Sequence, residues 1–165
     1  MNKLDKVTRV FKKSDIIPFD DSSRFVFMSD CHRGDGSYSD NFLNNKNIFY
    51  SALTQYYYNN YTYIELGDGD ELWENKRLSD ILQVHKDVFS LLSKFHSDRR
   101  LYMIYGNHDI EKRNYKYVEN NIRRYYAQRE QEDPSIFNNV KMHEGLVLKH
   151  KESNDKILLI HGHQV

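Results

Sequence analysis

Leu101-Tyr102-Met103-Ile104-Tyr105-Gly106-Asn107-His108-Asp109 is the stretch whose reading decides the fold. An uncharged run of strand character leads into a glycine. The turn it opens carries an amide, an imidazole and a carboxylate in succession. A short apolar run that stops at such residues reads as a buried strand with a functional loop at its carboxyl end. Working outward, the same arrangement recurs. Arg24-Phe25-Val26-Phe27-Met28 stops at Ser29-Asp30-Cys31-His32. Tyr61-Thr62-Tyr63-Ile64-Glu65-Leu66 stops at Gly67-Asp68-Gly69-Asp70-Glu71. Lys156 to Ile160 stops at His161-Gly162-His163.

The intervals between these runs have helical periodicity. Phe42, Phe49, Ala52, Leu53 and Tyr56 predict a helix between Asn41 and Tyr58. Leu78, Ile81, Leu82, His85, Val88, Phe89, Leu92 and Phe95 predict one helix over 77–96. Val118, Ile122, Tyr125, Tyr126 and Arg129 predict a third, with Pro134 beyond its end. Val140–Met142, Leu146–Leu148 and Lys156–Ile160 read as strands, the last two as a hairpin across Glu152-Ser153-Asn154-Asp155. Strands alternating with helices imply an α/β fold of βαβ units with a largely parallel sheet. Residues 1–24, charged and interrupted by Pro18, are expected to form an N-terminal arm before a domain over 25–165. One edge of one sheet should then gather Asp30, His32, Asp68, Asn107, His108 and His161.

Composition narrows the function classes. The 165 residues suit a single domain, and Lys plus Arg equals Asp plus Glu at 24 each. With the basic residues interleaved among acidic ones, nothing signals nucleic-acid binding. The single cysteine, Cys31, excludes an intramolecular disulfide and fits a reducing compartment. No apolar run reaches the length of a signal peptide or membrane span, so the expected location is cytoplasmic. Nothing in the sequence speaks to oligomeric state.

The strand-end residues suit a divalent metal. Asp30 and His32 are two positions apart, so on a continuing strand they share a side and Cys31 points away as a small buried residue. Carboxylate oxygen with imidazole nitrogen suits a borderline divalent ion. Asp68, with glycine on both sides, could offer one oxygen to each of two ions. Of Asp70 and Glu71, one is expected to accept from a ligand histidine and the other to be a solvated loop acid. Asn107 offers a neutral carbonyl oxygen where a phosphate must approach. His108 is a candidate proton donor, with Asp109 setting its tautomer. His161 could supply an imidazole, and His163 is either a ligand or a residue lining the site. His85, on an apolar helix face, is expected to be a core histidine, and His96, His143 and His150 surface residues.

Together, Asp30-x-His32, Gly67-Asp68-x-x-Glu71, Gly106-Asn107-His108-Asp109 and His161-Gly162-His163 resemble the signature of the calcineurin-like metallophosphoesterases, in the same order. The resemblance runs from about Phe25 to the end of the chain. Leu66-Gly67-Asp68-x-x-Glu71-x-Trp73 is also similar to the bacterial subgroup that contains UDP-diacylglucosamine pyrophosphohydrolases. The resemblance implies an αββα sandwich and two divalent ions, drawn from Mn, Fe, Zn or Ni with Mn the leading choice. It implies hydrolysis of a phosphomonoester or phosphodiester by metal-activated hydroxide. Asp30 and His32 would hold one ion, Asp68 would bridge, Asn107 and His161 would hold the other, and His108 with Asp109 would be catalytic. His163 and Glu71 are further candidates, and so is Arg33, which would either contact a phosphate or be an ordinary surface arginine.

One departure stands out. The family closes its site with Gly-His-x-His, whereas this sequence runs Gly162-His163-Gln164-Val165. The expectation is therefore an incomplete domain lacking the family's C-terminal part, with weak metal binding and slow or no turnover. A phosphorylated small molecule, a nucleotide or a phosphoprotein would be the substrate. A non-catalytic metal- or phosphate-binding module is the competing class.

Overall fold

The computed structural model describes residues 2–127 and 139–164. Its centre is a wholly parallel sheet in the order β2 (Phe25–Met28), β3 (Thr62–Leu66), β4 (Leu101–Ile104), β5 (Met142–His143). A smaller sheet has the order β1 (Asp15–Phe19), β6 (Leu146–His150), β7 (Lys156–Leu159). β1 runs parallel to β6, and β6 antiparallel to β7, as the expected hairpin requires.

Side-chain alternation builds two cores from one central sheet. Val26, Tyr63, Leu101 and Met103 face a helical layer that includes Leu53 of α2 (Lys46–Tyr58) and Val88, Leu92 and Phe95 of α4 (Lys86–Ser97). The intervening residues Phe25, Ile64, Leu66, Tyr102 and Ile104 face the smaller sheet and meet Ile17, Leu146, Leu148 and Leu159. The result is the expected mixed α/β fold with a largely parallel sheet, and among the described residues its two cores lie between helices and the central sheet and between the central and the smaller sheet. Among the described residues, no helix is long and apolar enough to cross a membrane.

Four expectations need correction. Residues 1–24 do not form a plain arm. Asn2 and Asp5 close a capping box on α1 (Lys3–Lys13), and β1 follows as an edge strand of the smaller sheet. Ile17 drives this by burying against Ile64 and Leu148, while Pro18 is tolerated because β1 is an edge.

The expected single helix over 77–96 is two, α3 (Leu78–Val84) and α4, broken at His85. The His85 ring is drawn into the core, where Nε2 lies 2.8 Å from Asp40 Oδ2. The Val84 carbonyl instead accepts from Lys46 Nζ at 3.1 Å, so the break leaves that acceptor satisfied.

His143 is buried rather than on the surface, because β5 pairs Ile104 with His143 and its Nδ1 lies 3.3 Å from Asp15. His161, finally, follows a strand of the smaller sheet, so the polar cluster is assembled from two sheets rather than one. α5 spans Tyr115–Ala127, and Arg129 and Pro134 lie outside the described residues.

Candidate metal centre

β2 ends at Met28, so Asp30 and His32 are not on a continuing strand. Both have left-handed backbones, φ 53° and 49°, and Asp68 has φ 51°. Three non-glycine residues in that region at one site store strain that the surroundings must hold. They are held by a ladder between the two loops. Asp30, His32 and Arg33 donate their N–H groups to the carbonyls of Gly67, Asp68 and Gly69 at 3.0–3.1 Å. The shared direction of Asp30 and His32 thus comes from this loop ladder, not from strand alternation.

Two glycines allow the close approach. A Cβ on Gly106 would fall 2.0 Å from Asp68 Oδ1, and one on Gly67 would fall 2.5 Å from the His161 ring. Asp68 can therefore lie under the Gly106 turn, where its Oδ1 accepts from the His108 N–H at 2.8 Å. Its Oδ2 is 3.1 Å from His161 Nε2.

The imidazoles are oriented from behind. His161 Nδ1 donates to the Leu66 carbonyl at 2.7 Å, which leaves the Nε2 lone pair beside Asp68. His32 Nδ1 lies 2.9 Å from Glu71 Oε2, which directs its Nε2 toward Asp30, 3.9 Å away. A carboxylate or carbonyl that takes one ring N–H fixes the tautomer and makes the other nitrogen a better ligand. Donor atoms of His32, Asp68 and His108 lie within 4.8 Å of one another, and so do those of Asp30, Asp68 and His161. Asp68 belongs to both groups. The grouping differs from the expected sets in placing Asp30 with His161, and His32 with His108.

Glu71 also corrects the expectation for His108. His108 Nδ1 meets Glu71 at 2.8 and 3.0 Å, while Asp109 turns inward to accept from the Gly106 N–H and from Lys112 Nζ. Asp109 therefore shapes the turn, and Glu71 sets the ring. Burial works against ionisation of Glu71, but hydrogen bonds from His108 and His32 outweigh it and hold its carboxyl below the usual range.

Arg33 is neither a surface residue nor exposed toward the site. It is fully buried, bidentate to Glu65 at 2.8 Å and bonded through Nε to Asp70 at 2.7 Å. Lys112 completes the group, 2.5 Å from Asp70 and 2.7 Å from Asp109. Of the two acids, Glu71 is thus the one that accepts from histidines, and Asp70, instead of being a solvated loop acid, is at the centre of a buried ionic cluster. Burial opposes its charge, yet Arg33 and Lys112 outweigh that and keep its carboxyl low. Burial likewise opposes the charge on Lys112, and Asp109, Asp70 and Glu65 reverse it, raising the ammonium above its ordinary value. Burial pushes the Cys31 thiol up to about 12, so it is an inert residue rather than a nucleophile.

Asn107 is half-buried between Gly106 and His108. His163 stands outside both donor groups. Its ring is 5.7 Å from that of His161, and its Nδ1 is buried with no hydrogen-bond partner among the described residues. Burial, then His161, lower its pKa. Sequence reasoning missed Glu65 and Lys112. Glu65 had a signal, since it alternates with Tyr63 on a strand apolar on both faces. Lys112, in a charged 3₁₀ turn, had none.

Comparison with curated proteins and with solved structures gave no match. A family model described as calcineurin-like phosphoesterase matches residues 23–165, from the turn before β2 through all four motifs. Strand ends that deliver carboxylates and imidazoles to one place agree with that match over most of the chain, and the chain belongs to the calcineurin-like phosphoesterase family, whose members are in general metal-dependent phosphoester hydrolases.

Proposed function

We propose that the protein hydrolyses a phosphoester at a site for two divalent ions, with Asp68 contributing to both. The observation that carries this reading is the membership of Asp68 in two separate groups of close donor atoms. Asp30, His32, Asp68, Asn107 and His161 are the proposed ligands, a mixed nitrogen and oxygen set that suits manganese, iron, zinc or nickel, with manganese the first to test. Bound ions supply an activated water and neutralise phosphate charge.

The chain's own residues do the rest. Glu71 orients His32 from one side and His108 from the other. With the His108 Nδ1 turned to that carboxylate, its Nε2 is the nitrogen positioned to pass a proton to the leaving oxygen. Asp109 and Lys112 hold the Gly106 turn, so His108 is presented from a fixed backbone. A phosphorylated small molecule, a nucleotide or a phosphoprotein would be the substrate.

The test is a calorimetric Mn²⁺ titration of the chain alongside hydrolysis of an aryl phosphodiester. Weak but saturable binding and slow metal-dependent turnover, both lost in Asp68→Asn, are expected. Ion binding without any turnover would make the chain a metal-binding module instead.

A further inference from the structure

Trp73 is the only tryptophan in the sequence, and its ring lies on that of His108. The centroids are 3.7 Å apart and the planes 26° from parallel. Its backbone is fixed, because the Trp73 N–H donates to Glu71 Oε1 at 3.2 Å and the preceding Leu72 N–H to the His108 carbonyl at 3.1 Å. Asp68, Asp70, Glu71 and Leu72 just before it are all buried, yet Trp73 is 61 % exposed. A large apolar ring is thus held firmly against the proposed proton donor while most of its surface faces water. Orienting His108 does not require this, since Glu71 already binds its Nδ1 and His32 packs edge-on against its ring at 4.6 Å.

We propose that Trp73 is a specificity-determining residue, whose exposed indole stacks on a flat ring in the organic group of the phosphoester. The ligand class is a phosphate ester bearing an aromatic ring or a nucleobase, and the inference rests on the phosphoester reading above. Stacking on an indole accepts any planar ring, because every such ring has a π-face. The contact would place the leaving group beside His108, where a proton is needed.

Excited at the red edge of indole absorption, where the thirteen tyrosines do not absorb, the fluorescence of the whole chain reports on Trp73 alone. With Mn²⁺ present, the chain is titrated with inorganic phosphate, ribose 5-phosphate, phenyl phosphate and a nucleoside monophosphate, and affinities are taken in parallel by calorimetry. The ring-bearing esters are expected to quench the emission and to bind about tenfold more tightly than ribose 5-phosphate, the value of one stacked ring. Trp73→Leu should erase that preference. Quenching by the nucleotide but not phenyl phosphate would narrow the ring to a nucleobase. Equal affinity for ringed and ringless esters, or a Trp73→Leu variant that weakens all of them alike, would overturn the proposal. The readout does not depend on turnover, so ring selectivity without hydrolysis would sink the hydrolase reading and leave this one standing.

Discussion

Two polar clusters sit back to back at the carboxyl ends of the central strands, and neighbouring residues are divided between them. His32 enters one and Arg33 the other; Asp68 and Glu71 enter one, Asp70 the other; His108 enters one, Asp109 the other. The inner cluster, Arg33, Glu65, Asp70, Asp109 and Lys112, is at most 2 % exposed and contains its own cations. The outer cluster consists of carboxylates and imidazoles with no lysine or arginine among its members. A buried charge must be paired. The inner cluster meets that demand with cationic side chains of its own, and the outer one has the donor atoms to meet it with a bound divalent ion. The difference separates a foundation from a binding site more sharply than residue type does, since aspartates occur in both.

The largest expected effect comes from breaking the inner pairing. Arg33→Met leaves Glu65 and Asp70 without their principal partner, and Tyr63 O–H remains as a donor to Glu65 at 3.0 Å. Loss of one partner from a buried ion pair costs about 3–5 kcal/mol. Urea unfolding of the metal-free chain should read a loss of that size. A near-wild-type midpoint would mean that the inner cluster is not the foundation described here.

This contrast also shows how far the sequence could be read. The outer cluster was legible because its residues sit where apolar runs stop, and because four such motifs, each weak by itself, follow one another in a single order. The inner cluster was hidden because burial depends on three loops meeting. Arg33, Asp70 and Asp109 each look like loop residues until β2, β3 and β4 are placed side by side. The same holds for β1, whose Ile17 finds its partners more than a hundred residues later in β6. The helix break at His85 was invisible for a related reason. The apolar spacing continues unbroken across it, and only the contact with Asp40 reveals the interruption.

Asp68→Asn tests the outer cluster in the opposite sense. The amide keeps an acceptor for the His108 N–H and removes a charge from a crowded acidic group. Stability without metal should change by less than about 1 kcal/mol, as for substitutions that create no unpaired buried charge. Mn²⁺ affinity should fall by more than about a hundredfold, beyond the range for residues that only support a ligand. A loss of stability rivalling that of Arg33→Met would erase the distinction between the clusters.

Glu71 lies between the two extremes, touching the donor set only through His32 and His108. Glu71→Gln should lower Mn²⁺ affinity by about 10–100-fold through loss of ring orientation and basicity. Its effect should therefore be smaller than that of Asp68→Asn. If the two were equal, Glu71 would be acting as a ligand itself.

The smallest effect concerns a buried pair outside both clusters, His85 with Asp40. Burial lowers the His85 pKa, Asp40 opposes that, and Arg33 and Lys46 add to the lowering. The folded ring therefore resists protonation, whereas the unfolded one accepts a proton below about pH 6.5. Acidification then favours the unfolded chain. This contribution to stability is complete above the unfolded pKa and declines as pH falls from there toward the lowered folded value. A single proton limits the slope to about 1.4 kcal/mol per pH unit. His85→Gln should be less stable at neutral pH, because Asp40 and the buried break depend on the ring, yet lose less of its remaining stability on acidification than wild type. Unfolding midpoints of both proteins at about pH 7.5 and about pH 5.5 measure the difference in slope. Parallel slopes would show that folding leaves the affinity of the ring for a proton unchanged, and a wild type that gains stability on acidification relative to His85→Gln would show that Asp40 holds the ring charged, which would place this pair with the self-neutralised inner cluster.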